Sequence, residues 1–333
     1  MRKTTQYILC GLLLCSLLIL PSARADEQSV FANLPACKDL GFSTEEDFLT
    51  QGPAPADGNP IISDGDLLGP AHAVCARNAE LLAYWKIPMD LGLDAVDIVS
   101  IDPPLVAFST NLEDPAHRFT GGDLLATNGT AIPNKVLLTK FQISRDMGLD
   151  ALQFIGPVQG IIGFLNRTAS ISRDEWLRNP SLLFDLLGSF KVDIWISTES
   201  TQLQGATLPI LDGDLLSVGT GTIVVHQADL FAAGVPAGIP ARGVDFGLDA
   251  VAANRSGDLH TLLFSTDILY RGKPGFTDGD VLRMGGGIEA LNYDLVKSFA
   301  PKTTFLGLDA LHVNFPTTTT RLGYLPYVLK NAR

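Results

Sequence analysis

The chain is short of cysteine, of basic residues and of long apolar runs. Of its four cysteines, Cys10 and Cys15 lie in the N-terminal apolar stretch. That leaves too few for a multi-disulfide framework, and a two-cysteine metal site would need nearby histidines at finger spacing. Lys and Arg total 24 against 36 Asp and Glu. Nucleic acid and anionic membrane surfaces both require a basic face, so neither fits as a partner. Nothing after residue 20 resembles a stop-transfer segment, so stable membrane insertion is not expected either. There is no Gly-x-Ser-x-Gly elbow and no phosphate-binding glycine loop with its lysine. Among His72, His117, His226, His260 and His312, no two stand at i, i+2 or i, i+4, so zinc-site spacing is missing and isolated surface or packed histidines are expected.

The N-terminus has the marks of a Sec-type leader. Met1-Arg2-Lys3 is positive, Ile8 to Leu20 is apolar, and Ala23-Arg24-Ala25 has the small-x-small form of a cleavage site. Residues 1–25 are therefore expected to be removed, and 26–333 to form one domain in the periplasm or outside the cell. Bulky Leu9 and Leu14 precede Cys10 and Cys15, where a lipoprotein signal requires small residues. Without Arg2, Lys3 and Arg24 the chain keeps 21 basic against 36 acidic residues, a net charge of −15. Such a balance suits cationic partners, metal ions included, or solubility alone. In an exported chain Cys37 and Cys75 read as one disulfide, contributing roughly 3–4 kcal/mol through the loop it closes.

What the chain does have is self-similarity. A Gly-Leu-Asp-Ala element followed by Val or Leu begins at Gly92, Gly148, Gly247 and Gly307. A Gly-Asp-Leu/Val-Leu element begins at Gly65, Gly122, Gly213 and Gly279. A Phe/Ile-Ser-Thr-polar element covers Phe42–Glu45, Phe108–Asn111, Ile196–Glu199 and Phe264–Asp267. The order is constant, and the steps from Gly-Asp aspartate to Gly-Leu-Asp-Ala aspartate are 28, 27, 35 and 29. The expected units are about 38–97, 104–153, 192–252 and 261–312.

Runs such as 105–110, 193–198 and 262–266 are short and β-prone. Asp66, Asp123, Asp214 and Asp280 mark turns into the next strand, three of them in Asp-Gly-Asp tripeptides with Asp64, Asp212 and Asp278. The Gly-Leu-Asp-Ala glycines are expected to begin strands, and Thr222–Val225 and Lys135–Leu138 suggest a further strand per unit. The fold class is all-β: four repeats of about 55 residues in a closed β-propeller-like ring. The phase of the repeat implies closure, because the last Gly-Leu-Asp-Ala strand and the first Ser-Thr strand each lack a partner within their own unit.

Asp-Ala, an apolar strand, then Gly-Asp before another strand, in four units of 50–60 residues, resembles the hemopexin-type four-bladed propellers. The Asp-Ala pairs at 94–95, 150–151, 249–250 and 309–310 carry the resemblance. It implies a central channel, often occupied by ions. The aromatic-rich strands of that family are missing here, and its disulfide joins first and last blades, whereas Cys37–Cys75 stays within one unit.

One segment breaks the repeat. The roughly thirty extra residues at about 155–191 read as an insertion with one or two short helices. Ser172-Arg-Asp-Glu175 resembles a capping box, Asn179-Pro180 a helix start and Gly188 a helix end. Trp176, Leu183, Phe184 and Leu187 form the apolar stripe.

Asp94, Asp150, Asp249 and Asp309 are the candidate metal ligands. On the innermost strands they would face a common channel and offer oxygens to calcium, which takes six to eight. Each can instead accept hydrogen bonds within its own turn. The expected function is a non-enzymatic exported binding or scaffold protein for a protein or carbohydrate ligand, with structural calcium. Two alternatives stand: a hydrolase using carboxylates at the channel mouth, for which Arg255, His260, Asp267 and Arg271 are the unit-specific candidates, and a surface or matrix protein assembling through the insertion.

Overall fold

The apolar runs after the Gly-Leu-Asp-Ala elements need partners for every backbone N–H and C=O, and each becomes the first strand of an antiparallel sheet. The structure, a computed structural model, describes residues 31–204, 209–239, 243–303 and 306–315. The four strands are β1 (Val96–Ile101), β2 (Leu152–Ile155), β3 (Val251–Ala252) and β4 (Leu311–Val313). Each heads a four-stranded sheet. Beside β1 lie Pro104–Phe108, Leu124–Ala126 and Ala131–Ile132; beside β2, Asp193–Ile196, Leu215–Ser217 and Thr222–Val225; beside β3, Leu263–Phe264, Val281–Arg283 and Ile288–Ala290.

The fourth sheet draws on both ends of the chain. Strand β4 pairs with Leu40–Phe42, with Gly41 opposite His312 and Phe42 opposite Leu311, and Leu67–Gly69 and Ala73–Ala76 follow outward. The first strands pack on one another, β1 against β2 and β4, and β3 against β2 and β4. The protein is mostly β with few helices. An unforeseen two-stranded ladder, Phe48–Leu49 with Ile61–Ile62, projects from the first unit.

The Ser-Thr element divides its labour. Each serine is buried and donates across to the next sheet's Gly-Leu-Asp-Ala element: Ser43 to the Leu93 carbonyl (2.8 Å), Ser109 to Leu149 (2.8 Å), Ser197 to Leu248 (2.6 Å) and Ser265 to Leu308 (3.1 Å). Each threonine stays local, donating two residues onward to the carbonyls of Glu46, Leu112, Ser200 and Ile268. That bond folds the turn at the end of the strand.

Asp66, Asp123, Asp214 and Asp280 each tie a preceding backbone N–H to the start of a short helix. Each buried carboxylate accepts the N–H three residues earlier, from Ser63, Thr120, Leu211 and Thr277. Its other oxygen accepts the first N–H of a short helix, from Asn78, Asn134, Gln227 and Asn292. Such N–H groups have no partner within their own helix. The Asn78 amide then donates to the Gly65 and Gly92 carbonyls and accepts from Leu91; Asn134 does the same with Gly122, Gly148 and Met147. Lys135–Leu138 is thus not a strand. Asn134–Leu137 is helical, and the outer strand of that sheet is Ala131–Ile132. Nor do the Gly-Leu-Asp-Ala glycines begin strands; the ladders start four residues later.

The insertion forms three helices rather than one or two: α1 (Val158–Thr168), α2 (Arg173–Arg178) and α3 (Ser181–Phe190). The Ser172 hydroxyl accepts from Glu175 N–H, as a capping box requires. Helix α3 runs through Gly188 and ends at Lys191, which takes a left-handed conformation. Ile161, Phe164, Trp176, Leu183 and Leu187 are buried in one cluster with Phe154 and Ile194 of the second sheet. Arg173 forms an ion pair with Asp123. Cys37 and Cys75 form the expected disulfide, with Cα atoms 6.0 Å apart. The leader expected at 1–25 lies outside the described residues. Among those described, no helix is long and apolar enough to cross a membrane.

Candidate functional site

Asp94, Asp150, Asp249 and Asp309 stand two residues before the four first strands, and none is more than 6% exposed. Over each lies the polar residue of a Ser-Thr element, and the glycine of Gly-Leu-Asp-Ala makes the room. A Cβ on Gly148 would sit 2.4 Å from Glu199 Cδ, and one on Gly247 2.0 Å from Asp267 Cγ. Gly92 and Gly307 give way in the same manner to Asn111 and Glu45. Gly148 and Gly247 also have φ of +79° and +72°, which side chains with a Cβ resist. The third repeat element therefore supplies a second tier of polar groups: Glu45, Asn111, Glu199 and Asp267.

Seven carboxyls share this region, and the charges acting most strongly on them are all acidic. Burial, reinforced by Asp309, holds Asp94 well above the usual carboxylate range. Burial and Asp94 do the same to Asp150, and burial and Asp150 to Asp249. Burial pushes Asp309 up to about 8, Glu45 to about 7 and Asp267 to about 6. On the rim, burial and its neighbour Asp245 push Asp212 up to about 8.

The two sides of the cluster differ. Asn111, the neutral member of the second tier, lies with its amide nitrogen 3.4 Å from Asp94 Oδ1 and 3.3 Å from Asp309 Oδ2, and so bridges them. Opposite, Asp150, Asp249 and Asp267 each bring one oxygen within 4.8 Å of the others. A calcium ion bonded at roughly 2.3–2.6 Å spans oxygens up to about 5 Å apart, so one ion can touch all three. The Oδ2 atoms of Asp94, Asp150 and Asp249 are buried without a hydrogen-bond partner. An aspartate serving its own turn would accept N–H groups there, as Asp66 and Asp123 do. For Asp150 and Asp249 no such bond exists among the described residues. The four predicted ligands thus share one region, but the tightest oxygen triad replaces Asp94 and Asp309 with Asp267, which the sequence placed among hydrolase candidates.

Three residues further along the first strands, the same register carries Asp97, Gln153, Ala252 and His312. Here the repeat is not kept. Asp97, 1% exposed, accepts from Phe154 N–H (2.8 Å), Gln153 Nε2 (3.2 Å) and both terminal nitrogens of Arg255. Burial alone would raise the Asp97 carboxyl; the Arg255 guanidinium reverses this and holds it at about 2. Arg255 follows β3, where Ala252 is too small to fill the register. Sequence reasoning missed this plug because four different residues occupy one repeat position.

The remaining hydrolase candidates are not gathered: Arg255 is held by Asp97, Asp267 belongs to the acidic cluster, and no hydrogen bond or ion pair joins any two of Arg255, His260, Asp267 and Arg271. Of the histidines, His117 and His260 are exposed, His226 lies 3.6 Å from Asp214, His72 packs edge-on against Phe299, and His312 is buried beside Asp97. Among the described residues no histidine joins a metal-sized cluster. In comparisons with protein-family models, curated proteins and solved structures, nothing matches this chain.

Proposed function

We propose that the protein is an exported, non-enzymatic binding or scaffold module. Its four sheets form the blades of a closed propeller-like ring, and a divalent cation, calcium by preference, sits among Asp150, Asp249 and Asp267. The observation that carries the cation is the set of buried, unpartnered Oδ2 atoms facing further carboxylates, with no basic group among the described residues to balance them. Buried charge without compensation is costly, and a hard cation with oxygen ligands relieves it directly. Closure is supported by the pairing of β4 with Leu40–Phe42 and by the four serine bonds, which run from each sheet to the next and from the third to the fourth. The leader sequence supports export.

The test is calorimetric titration of residues 26–333 with Ca²⁺ and, separately, Mg²⁺, after chelation. The reading expects one saturable Ca²⁺ site, weaker for Mg²⁺ and lost in Asp150→Asn/Asp249→Asn. A folded protein that takes up no Ca²⁺ would overturn it.

A further inference from the structure

Beyond the Asp97–Arg255 plug, at the other end of the first strands from the aspartate cluster, lies a cavity of about 360 Å³. Small-molecule sites run from roughly 300 to 1,000 Å³, so this is a compact one. Ile98, Val99, Ile101, Val158, Val313 and Phe315 give it apolar walls, while His312, Arg255 and Lys38 supply its basic groups. Among the described residues no acidic side chain lines this cavity. The nearby carboxylate of Asp97 is bound by Arg255, Gln153 and Phe154 N–H, and its Oδ1 lies 3.3 Å from His312 Nδ1.

His312 sets what the cavity recognises. Its Nδ1 lies 3.2 Å from the Ile98 N–H, which it accepts, and 3.3 Å from Asp97 Oδ1. A ring nitrogen that accepts cannot also donate, and the Ile98 N–H is directed at Nδ1. The ring proton therefore sits on Nε2, which has no protein partner among the described residues. The four terminal N–H groups of Arg255 go to both Asp97 oxygens and to the Phe154 and Ile98 carbonyls, so its charge is balanced within the protein. Lys38 is different: it is exposed, and its contact with Asp39 spans 4.0 Å.

We propose that this cavity binds a small organic carboxylate. Its apolar body lies against Ile98, Ile101 and Val158, and its carboxylate accepts from His312 Nε2–H and faces Lys38. The site is independent of the cation reading and is assayed in chelator, where that site is silent.

Residues 26–333 are titrated calorimetrically with three probes of one shape: benzoate, benzyl alcohol and benzylamine. Benzoate is expected to bind at least about tenfold more tightly than the alcohol, from a charge-assisted hydrogen bond, and benzylamine more weakly still. Lys38→Ala, an exposed change, should weaken benzoate about three- to tenfold and leave the alcohol unmoved. Ser100→Trp, at a half-buried lining position, should abolish binding of all three while the protein keeps its melting transition. Equal affinity for the three probes, benzoate binding unaltered by Ser100→Trp, or no benzoate binding by the folded protein would each overturn the proposal.

Discussion

Replacing Asp249 with asparagine keeps the shape of the side chain and removes one charge from the acidic cluster. Its effect on the chelated protein separates a ligand from a turn residue by sign. Two unit charges 4.8 Å apart, the outer spacing within the Asp150–Asp249–Asp267 group, repel by roughly 3.5 kcal/mol at an effective dielectric of about 20. Partial protonation already relieves some of this, at about 1.4 kcal/mol per pKa unit. The expected gain from Asp249→Asn is therefore about 1–3 kcal/mol, or roughly 2–5 °C in Tm for a chain of this length. With Ca²⁺ present the variant's advantage shrinks or is lost. At a hundredfold excess over Kd the wild type gains about 2.7 kcal/mol, and the variant, with a ligand lost, gains less. Differential scanning fluorimetry in chelator and in Ca²⁺ reads both arms. If Asp249 instead accepted backbone hydrogen bonds, the amide would cost about 1–3 kcal/mol in chelator. A fall in chelated Tm would refute the reasoning.

Stability of the chelated protein should fall as pH rises from about 5 to 8. Folded Asp309, Glu45 and Asp267 hold their protons up to about 8, 7 and 6, and unfolded carboxyls release theirs near pH 4. The native state thus binds more protons in that window, and its advantage, full below pH 4, is lost as pH passes the folded values. Ca²⁺ should flatten the fall; a chelated Tm that rises with pH would contradict it. Arg255→Ala leaves Asp97 buried without its guanidinium and should cost about 3–5 kcal/mol in denaturant unfolding. Asp97→Asn/Arg255→Met should recover most of that loss, and a single variant as stable as wild type would remove the plug's structural role. Gly148→Ala should cost about 1–2 kcal/mol from its φ of +79° and weaken Ca²⁺ binding by displacing Glu199. Gly307→Ala, without a positive φ, should be milder, a ranking that paired melts would check.

What was legible was what repeats. Four copies of three elements announced a β-rich chain of several antiparallel sheets, and the aspartates before the first strands and the Cys37–Cys75 pair were readable because chemistry and spacing coincided. The Ser-Thr serines were visible, but their donation to the next sheet was not, since hydrogen-bond partners forty or more residues away leave no local signal. Asn78, Asn134, Gln227 and Asn292 did leave one: each follows its Gly-Asp aspartate by 11 to 13 residues. Their mixed identity and short apolar neighbours hid it, and Lys135–Leu138 passed for a strand because four residues carry no distinguishing period. The plug and the cavity were beyond reach. Asp97, Gln153, Ala252 and His312 share a register but no chemistry, and Arg255 reaches them from a loop. Helix α1 was concealed by an apolar sequence that suits a buried strand equally well.

The sheet shared by Leu40–Phe42 and Leu311–Val313 makes timing part of the structure. As the chain is made from its N-terminus, Leu40–Phe42 emerges early, and its free edge waits until residue 313 has followed. Partly emerged or truncated chains carry an open strand ready to pair with a neighbour. Pairings so distant along the sequence also form slowly. Completion of the fourth sheet is thereby a report that the chain has arrived whole, and a chain cut short after the third unit is expected to be recognised by its stickiness rather than by any missing activity.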